Sequence, residues 1–236
     1  MYKSIIHVDT GSFDNPAPGR FWLRDRYRVH QRLCMAFPKK DKLEQDPLFL
    51  QPYNEKEFEN FNVPRNIGGF LFRHITPNIL IIQSHQKPNW EYCFQNSSFI
   101  KKDPEIYEIN FENLKENEKY KFTLEANPTK KIFTTYKNEQ ETEAAWWKNS
   151  CSKNGKRVFV GKENLIPWLE EKLKNFGAMA ENVDVNLKFI KVKEKRFSVA
   201  NYSGSLIIKD FLSFKSALVC GIGPLKGFGC GLLLIE

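Results

Sequence analysis

Two stretches of this 236-residue chain carry side chains whose types and spacing suit chemistry on a phosphate. The first is Tyr27-Arg28-Val29-His30. Residues three apart on a helix share a face, so Tyr27 and His30 can stand side by side. Histidine titrates near pH ~6.5 and can give or take a proton at neutral pH. A histidine satisfied by a nearby carbonyl or carboxylate, beside a tyrosine with a wet hydroxyl, is the alternative reading. The second stretch is CGIGPLKGFGCGLLLI, residues 220–235, in which five glycines surround Lys226. Glycine takes positive φ and lets a backbone approach a ligand closely. Successive N–H groups in such a loop can form an anion-binding concavity, and a lysine adds a point charge that suits phosphate. Gly223, Gly227 and Gly229 are the candidate backbone contributors. A set of tight turns before a last strand is the alternative. A dinucleotide site or P-loop does not fit, because both need a helix after the glycines, and here Leu232 to Ile235 follow.

The composition favours a polyanionic partner. The net charge is +8 and the pI about 9.1, which points to nucleic acid or an anionic membrane face. No apolar run approaches the ~20 residues that span a bilayer, and MYKSIIHVD has too short an apolar core for a signal peptide. A cytoplasmic protein is expected. Cys34, Cys93, Cys151, Cys220 and Cys230 form no CxxC pair, and their odd number argues against a disulfide framework. His7, His30, His74 and His85 lack metal-ligand spacing, so neither a metal site nor a cofactor is expected. His74 and His85 read as surface or loop residues.

The elements that must position these groups follow from periodicity. Residues 2–9 alternate as a strand, and 11–19 form a loop with two prolines. A helix is predicted over 23–37, with Asp25 near its start and Val29, Leu33, Ala36 and Phe37 as its apolar stripe. Tyr27, His30 and Cys34 lie on the adjoining stripe. Residues 41–64 read as a loop or insertion, 69–73 and 79–84 as strands, and 90–94 as a short extended piece. Lys101 to Pro104 reads as linker. In the second half, 120–126 is a strand and 134–156 a polar loop anchored by Trp146-Trp147. Residues 158–160 are a brief extended piece. A helix capped by Asn164 follows, with Leu165, Trp168, Leu169, Leu173 and Phe176 as a core face. Residues 183–192 and 199–209 form a hairpin carrying Lys188, Lys191, Lys193, Lys195 and Arg196. A last helix over 210–219 leads into the glycine loop.

The Tyr-x-x-His helix with its continuation HQRLCMAFP, the stretch LEANPTKK (124–131), the basic hairpin and GIGPLKGFGCGLLLI occur in an order that resembles the CRISPR-associated endoribonucleases of the CasE kind, from type I-E systems. The resemblance implies an α+β chain of two tandem ferredoxin-like (RRM-like) βαββαβ domains, over residues 1–105 and 115–236. It implies cleavage of CRISPR repeat RNA stem-loops by 2′-hydroxyl attack, with His30 and Tyr27 as the catalytic pair and no metal. Lys226 and the loop glycines, Lys130 and Lys131, and Lys191, Lys193, Lys195 and Arg196 would hold RNA. The other subunits of the Cascade complex would be partners, and no membrane. Two departures stand out. Glu125 occupies a position where arginine is usual, which questions an RNA contact there. Met35 follows Cys34 where the family can carry a basic residue. A non-catalytic scaffold capping the RNA hairpin is the alternative function. A metal-dependent nuclease is disfavoured, since no DxD or ExK cluster stands out.

Overall fold

The computed structural model describes residues 1–37, 69–132 and 156–236. The expected loop over 41–64 and the Trp146-Trp147 stretch lie outside the described residues.

The first half opens with β1 (Tyr2–His7), whose alternation buries Ser4 and Ile6. The single helix expected over 23–37 is two, α1 (Pro18–Arg24) and α2 (Arg26–Cys34). Asp25 separates them. Its backbone is extended (φ −111°, ψ 106°), and its carboxylate accepts the Tyr27 N–H at 3.0 Å. One residue thus ends α1 and caps α2. The stripe holds as predicted, with Val29, Leu33 and Ala36 fully buried. Two strands follow, β2 (Phe70–Thr76) and β3 (Ile79–Ser84). Residues Trp90–Phe94 form a short helix, α3, and not the extended piece expected. Asn89 explains the difference: its side chain accepts the Tyr92 N–H at 2.9 Å and caps the turn. Just past the presumed linker lies an unforeseen strand, β4 (Glu105–Glu108), which pairs with β1. The sheet order is β2-β3-β1-β4.

The second half repeats the pattern. Its strand β5 (Lys119–Ala126) leads to β6 (Thr129–Ile132), which pairs with β7 (Lys156–Phe159). Helix α4 (Leu165–Asn175) buries Leu165, Trp168, Leu169 and Leu173, the face read from periodicity. Asn164 sits at its N-cap position but makes no cap; its amide donates to Glu163 instead. The long hairpin is β8 (Ala178–Val192) with β9 (Lys195–Ile208). Helix α5 (Phe211–Cys220) is capped by Asp210, and β10 (Leu233–Ile235) closes the second sheet, ordered β10-β5-β9-β8. In each sheet the unit's first strand lies between its third and fourth, with the second outermost. This is the ferredoxin-like βαββαβ arrangement, present twice, as expected.

Polar bonds with little exposure join the halves. Gln83 Nε2 donates to the Leu218 carbonyl at 2.6 Å, and Arg73 Nη1 to Thr123 Oγ1 at 2.9 Å. Gly221 ends α5 at φ +71°, and a Cβ there would stand 2.9 Å from Leu71 Cδ1. The last helix and the glycine loop are therefore pressed against β2 of the first unit.

Candidate active site

The site begins at Asp25. The oxygen that caps α2 also accepts the Lys193 N–H at 3.0 Å, from the turn joining β8 to β9. Lys193 holds a left-handed backbone there, φ +54°. The carboxylate therefore fastens the tip of the basic hairpin to the start of the Tyr-x-x-His helix. As a result the Lys193 ammonium lies 4.0 Å from the centre of the Tyr27 ring, a cation–π contact.

One turn along, His30 is enclosed by groups from three elements. Its imidazole stacks on Phe70 of β2 with ring centres 5.7 Å apart, and meets Phe228 of the glycine loop edge-on at 5.8 Å. The Cys34 sulfur lies 3.5 Å from its Nε2. A Cβ on Gly227 would stand 3.5 Å from His30 Cε1. The two motifs from opposite ends of the chain thus meet, with Phe228 touching both Tyr27 and His30. Burial holds the His30 pKa below the usual 6.5, so the ring is neutral at pH 7 and able to accept a proton.

The glycines of the loop differ in what they touch. Gly223 (φ +81°) lies against the Trp168 ring, and Gly229 (φ +83°) against Arg26 and Phe72. The Gly229 amide donates to the Lys226 carbonyl at 3.4 Å, closing the turn, and the Gly231 amide donates to the Glu125 carbonyl at 2.7 Å. Lys226 starts the 3₁₀ turn Lys226–Phe228 and is half-buried, with its stem along Gly231. Burial lowers its pKa, partly offset by Cys220.

The basic residues divide into two groups. Lys191, Lys193, Lys195 and Arg196 are exposed around the hairpin tip, and Lys130 and Lys131 are exposed on β6. Asn127, whose Nδ2 donates to the Ser198 carbonyl at 2.7 Å, ties the turn before β6 to β9. Lys188 is different: its ammonium points inward, 2.5 Å from Glu125 Oε2. Glu125 is 1% exposed and also pairs with Arg26 at 3.1 Å. The position at which a surface contact to RNA was in question is therefore interior. Arg26 has a signal in the sequence: with Val29 and Leu33 it completes an i, i+3, i+7 stripe, so a charge there is buried and needs a partner. Phe70, Phe228 and the double role of Asp25 had no signal in the sequence, since each depends on a contact distant along the chain.

His74, read as a surface or loop residue, lies on β2 facing this interior. Burial, with Arg26 and Lys188 nearby, holds its pKa well below 6.5. Burial lowers that of His85 too, helped by the N-terminus. Groups that resist protonation when folded, but accept it when unfolded, favour unfolding as pH falls. Stability should therefore be flat above pH ~6.5 and decline below it, by up to about 1.4 kcal/mol per pH unit for each such histidine. Denaturant titrations from pH 8 to pH 5 would test this, with His74→Gln expected to flatten the slope.

A folded pair of ferredoxin-like units with a helix histidine under a C-terminal glycine loop defines a class, and comparison agrees. The model of the CRISPR-associated protein family matches residues 1–236, and the chain belongs to that family. It is 28% identical over 220 residues to the Cascade subunit CasE of Escherichia coli K12, covering 91% of this chain and 93% of that one. Its fold is similar to that of the CRISPR endoribonuclease Cse3 in a complex with 19-nucleotide RNA, with a TM-score of 0.69, 19% identity, and coverage of 100% and 97%. The crystal structure of Cas6e from E. coli K-12 matches with a TM-score of 0.60 at 24% identity, covering 100% of this chain and 99% of that one. The resemblance to the CasE kind is borne out.

Proposed function

We propose that the chain is an endoribonuclease that cuts CRISPR repeat stem-loops in precursor crRNA and stays with its product as a subunit of Cascade. The observation that carries this reading is the approach of Gly227 to His30, which makes one site of a proton-transfer group and an anion-suited loop. The names of the relatives, an endoribonuclease bound to RNA and a Cascade subunit, support the substrate and the partners. Among the described residues no helix is long and apolar enough to cross a membrane; work in the cytoplasm is part of the same proposal.

In this mechanism neutral His30 takes the proton of the RNA 2′-hydroxyl. The 2′-oxygen bonds to the adjacent phosphorus, and the bond from phosphorus to the 5′-oxygen breaks. The leaving oxygen takes a proton from the Tyr27 hydroxyl, which is restored from solvent. The products are a 2′,3′-cyclic phosphate and a 5′-hydroxyl. Lys226 and the Gly223–Gly227 stretch hold the phosphate and offset its developing charge. Lys191, Lys193, Lys195, Arg196, Lys130 and Lys131 bind the stem, since A-form RNA is recognised by shape and phosphate contacts. The reading needs no metal or cofactor. A 5′-labelled cognate repeat should be cut once, at an unchanged rate in excess EDTA, leaving a cyclic-phosphate end. Loss of cutting in EDTA would overturn the mechanism; tight binding with no cut would favour the scaffold.

A further inference from the structure

We infer that Glu125 is a positioning residue that holds the glycine loop in place over His30. The inference rests on the endoribonuclease reading for its rate, though not for its structural test.

Glu125 reaches three parts of the site from one buried point on β5. Its Oε1 pairs with Arg26 of α2 at 3.1 Å, and its Oε2 lies 2.5 Å from the Lys188 ammonium on β8. Its own carbonyl accepts the Gly231 amide of the loop at 2.7 Å. Arg26 sits one turn before His30 on the same helix, which couples their positions. It also lies directly beneath the loop: its Nη1 would be 2.3 Å from a Cβ on Gly229. The side chain of Glu125 therefore fixes Arg26, and Arg26 fixes the surface on which the loop rests. Arg73, whose charge also acts on this carboxylate, adds a further buried cation. Removing the carboxylate charge leaves Arg26, Arg73 and Lys188 without their shared counter-ion. Such a set repels itself in a low-dielectric interior, and the arginine beneath Gly229 is then free to shift. Glu125 is thus the partner that lets an arginine at position 26 be buried beside the active site.

The test is Glu125→Gln, which keeps the shape and removes the charge. Single-turnover cutting of an end-labelled cognate repeat RNA should slow by roughly 10- to 100-fold, the scale of a misplaced catalytic group. Its dissociation constant should move by less than about threefold, a split that general unfolding would not produce. Amide hydrogen exchange should rise in 26–34 and 221–231 and stay unchanged in β1 and β3. Arg26→Gln should reproduce the loss, and the double variant should be no slower than the worse single variant, because the two act in series. A wild-type rate, additive losses, or unchanged exchange in the loop overturns the inference. Should Glu125→Gln fail to fold, Glu125→Asp decides by the same readouts: an intermediate rate with raised loop exchange supports the inference, and wild-type behaviour overturns it. If the wild-type chain does not cut RNA, the endoribonuclease reading fails and the exchange data still judge Glu125.

Discussion

Replacing His30 by alanine is expected to slow cleavage of the repeat RNA by roughly 10²- to 10⁴-fold, the usual contribution of a general acid or base, while RNA affinity stays within about twofold. The separation follows from where the groups lie. The lysines at the hairpin tip and on β6 are exposed, and the substitution removes none of their charge. His30 faces Phe70, Phe228 and Gly227 and adds no net charge while neutral. The pH profile sharpens the test. As the proton acceptor, His30 must be neutral, and burial places its pKa below 6.5. The rate should therefore be level through neutral pH and fall on the acid side, reaching half its maximum below pH ~6.5. In His30→Ala the acid limb should vanish with the rate. Equal cutting by this variant would rule out the role, and a half-point above pH 7 would rule out the base assignment.

The glycine loop should give the second large effect, and its glycines should fail in different ways. A Cβ on Gly227 would meet His30 Cε1 at 3.5 Å, an ordinary contact. Gly227→Ala should fold and keep its cut. Gly227→Val adds methyl groups directed at the imidazole. It should fold and yet lose about 10²-fold in rate, because a shift near 1 Å is enough to misalign reacting groups. At Gly229 the backbone is left-handed (φ +83°), and a Cβ would stand 2.3 Å from Arg26 Nη1 and 2.9 Å from Phe72. Phe72 is fully buried and Arg26 is held by Glu125, so neither can easily move aside. Strain and overpacking together cost about 2–4 kcal/mol, or a fall in Tm of roughly 5–15 °C for a chain of this size. Thermal melts and single-turnover rates on the three variants separate the outcomes. A fully stable Gly229→Ala, or a Gly227→Val that cuts normally, would show that the loop does not sit against α2 as described.

The hairpin illustrates how far periodicity reaches. Alternation and lysine content located both strands and their basic character, and β8 and β9 follow them with longer ends. What alternation could not supply was the fate of each lysine. Lys191 and Lys188 look alike as letters, yet one is exposed and the other is drawn to Glu125, because they fall on opposite faces of the strand, and the face with Lys188 is the one that packs, through Ile190 and Val192, against Tyr27 and the glycine loop. The helix carrying His30 shows the same limit. Its buried stripe was legible, but its break at Asp25 was not. The break depends on a carboxylate shared between the Tyr27 amide and an amide 168 residues away in the chain. The helix over Trp90–Phe94 and the strand Glu105–Glu108 are illegible for the opposite reason: each is too short for a period to show.

The sequence by itself determined the two proton-transfer candidates, the loop that suits an anion, the basic hairpin, and the order of the elements in the second half. These are local properties: residue type, spacing along a helix or strand, and net charge. The tertiary structure decided that Gly227 lies beside His30, that Lys193 covers Tyr27, and that Glu125 is an interior anchor and not a surface contact. Those outcomes depend on burial and on pairings between units far apart in the chain. A buried charge keeps its ionised form only with a partner at hydrogen-bonding distance, and a linear reading holds no record of which partner the fold will bring there.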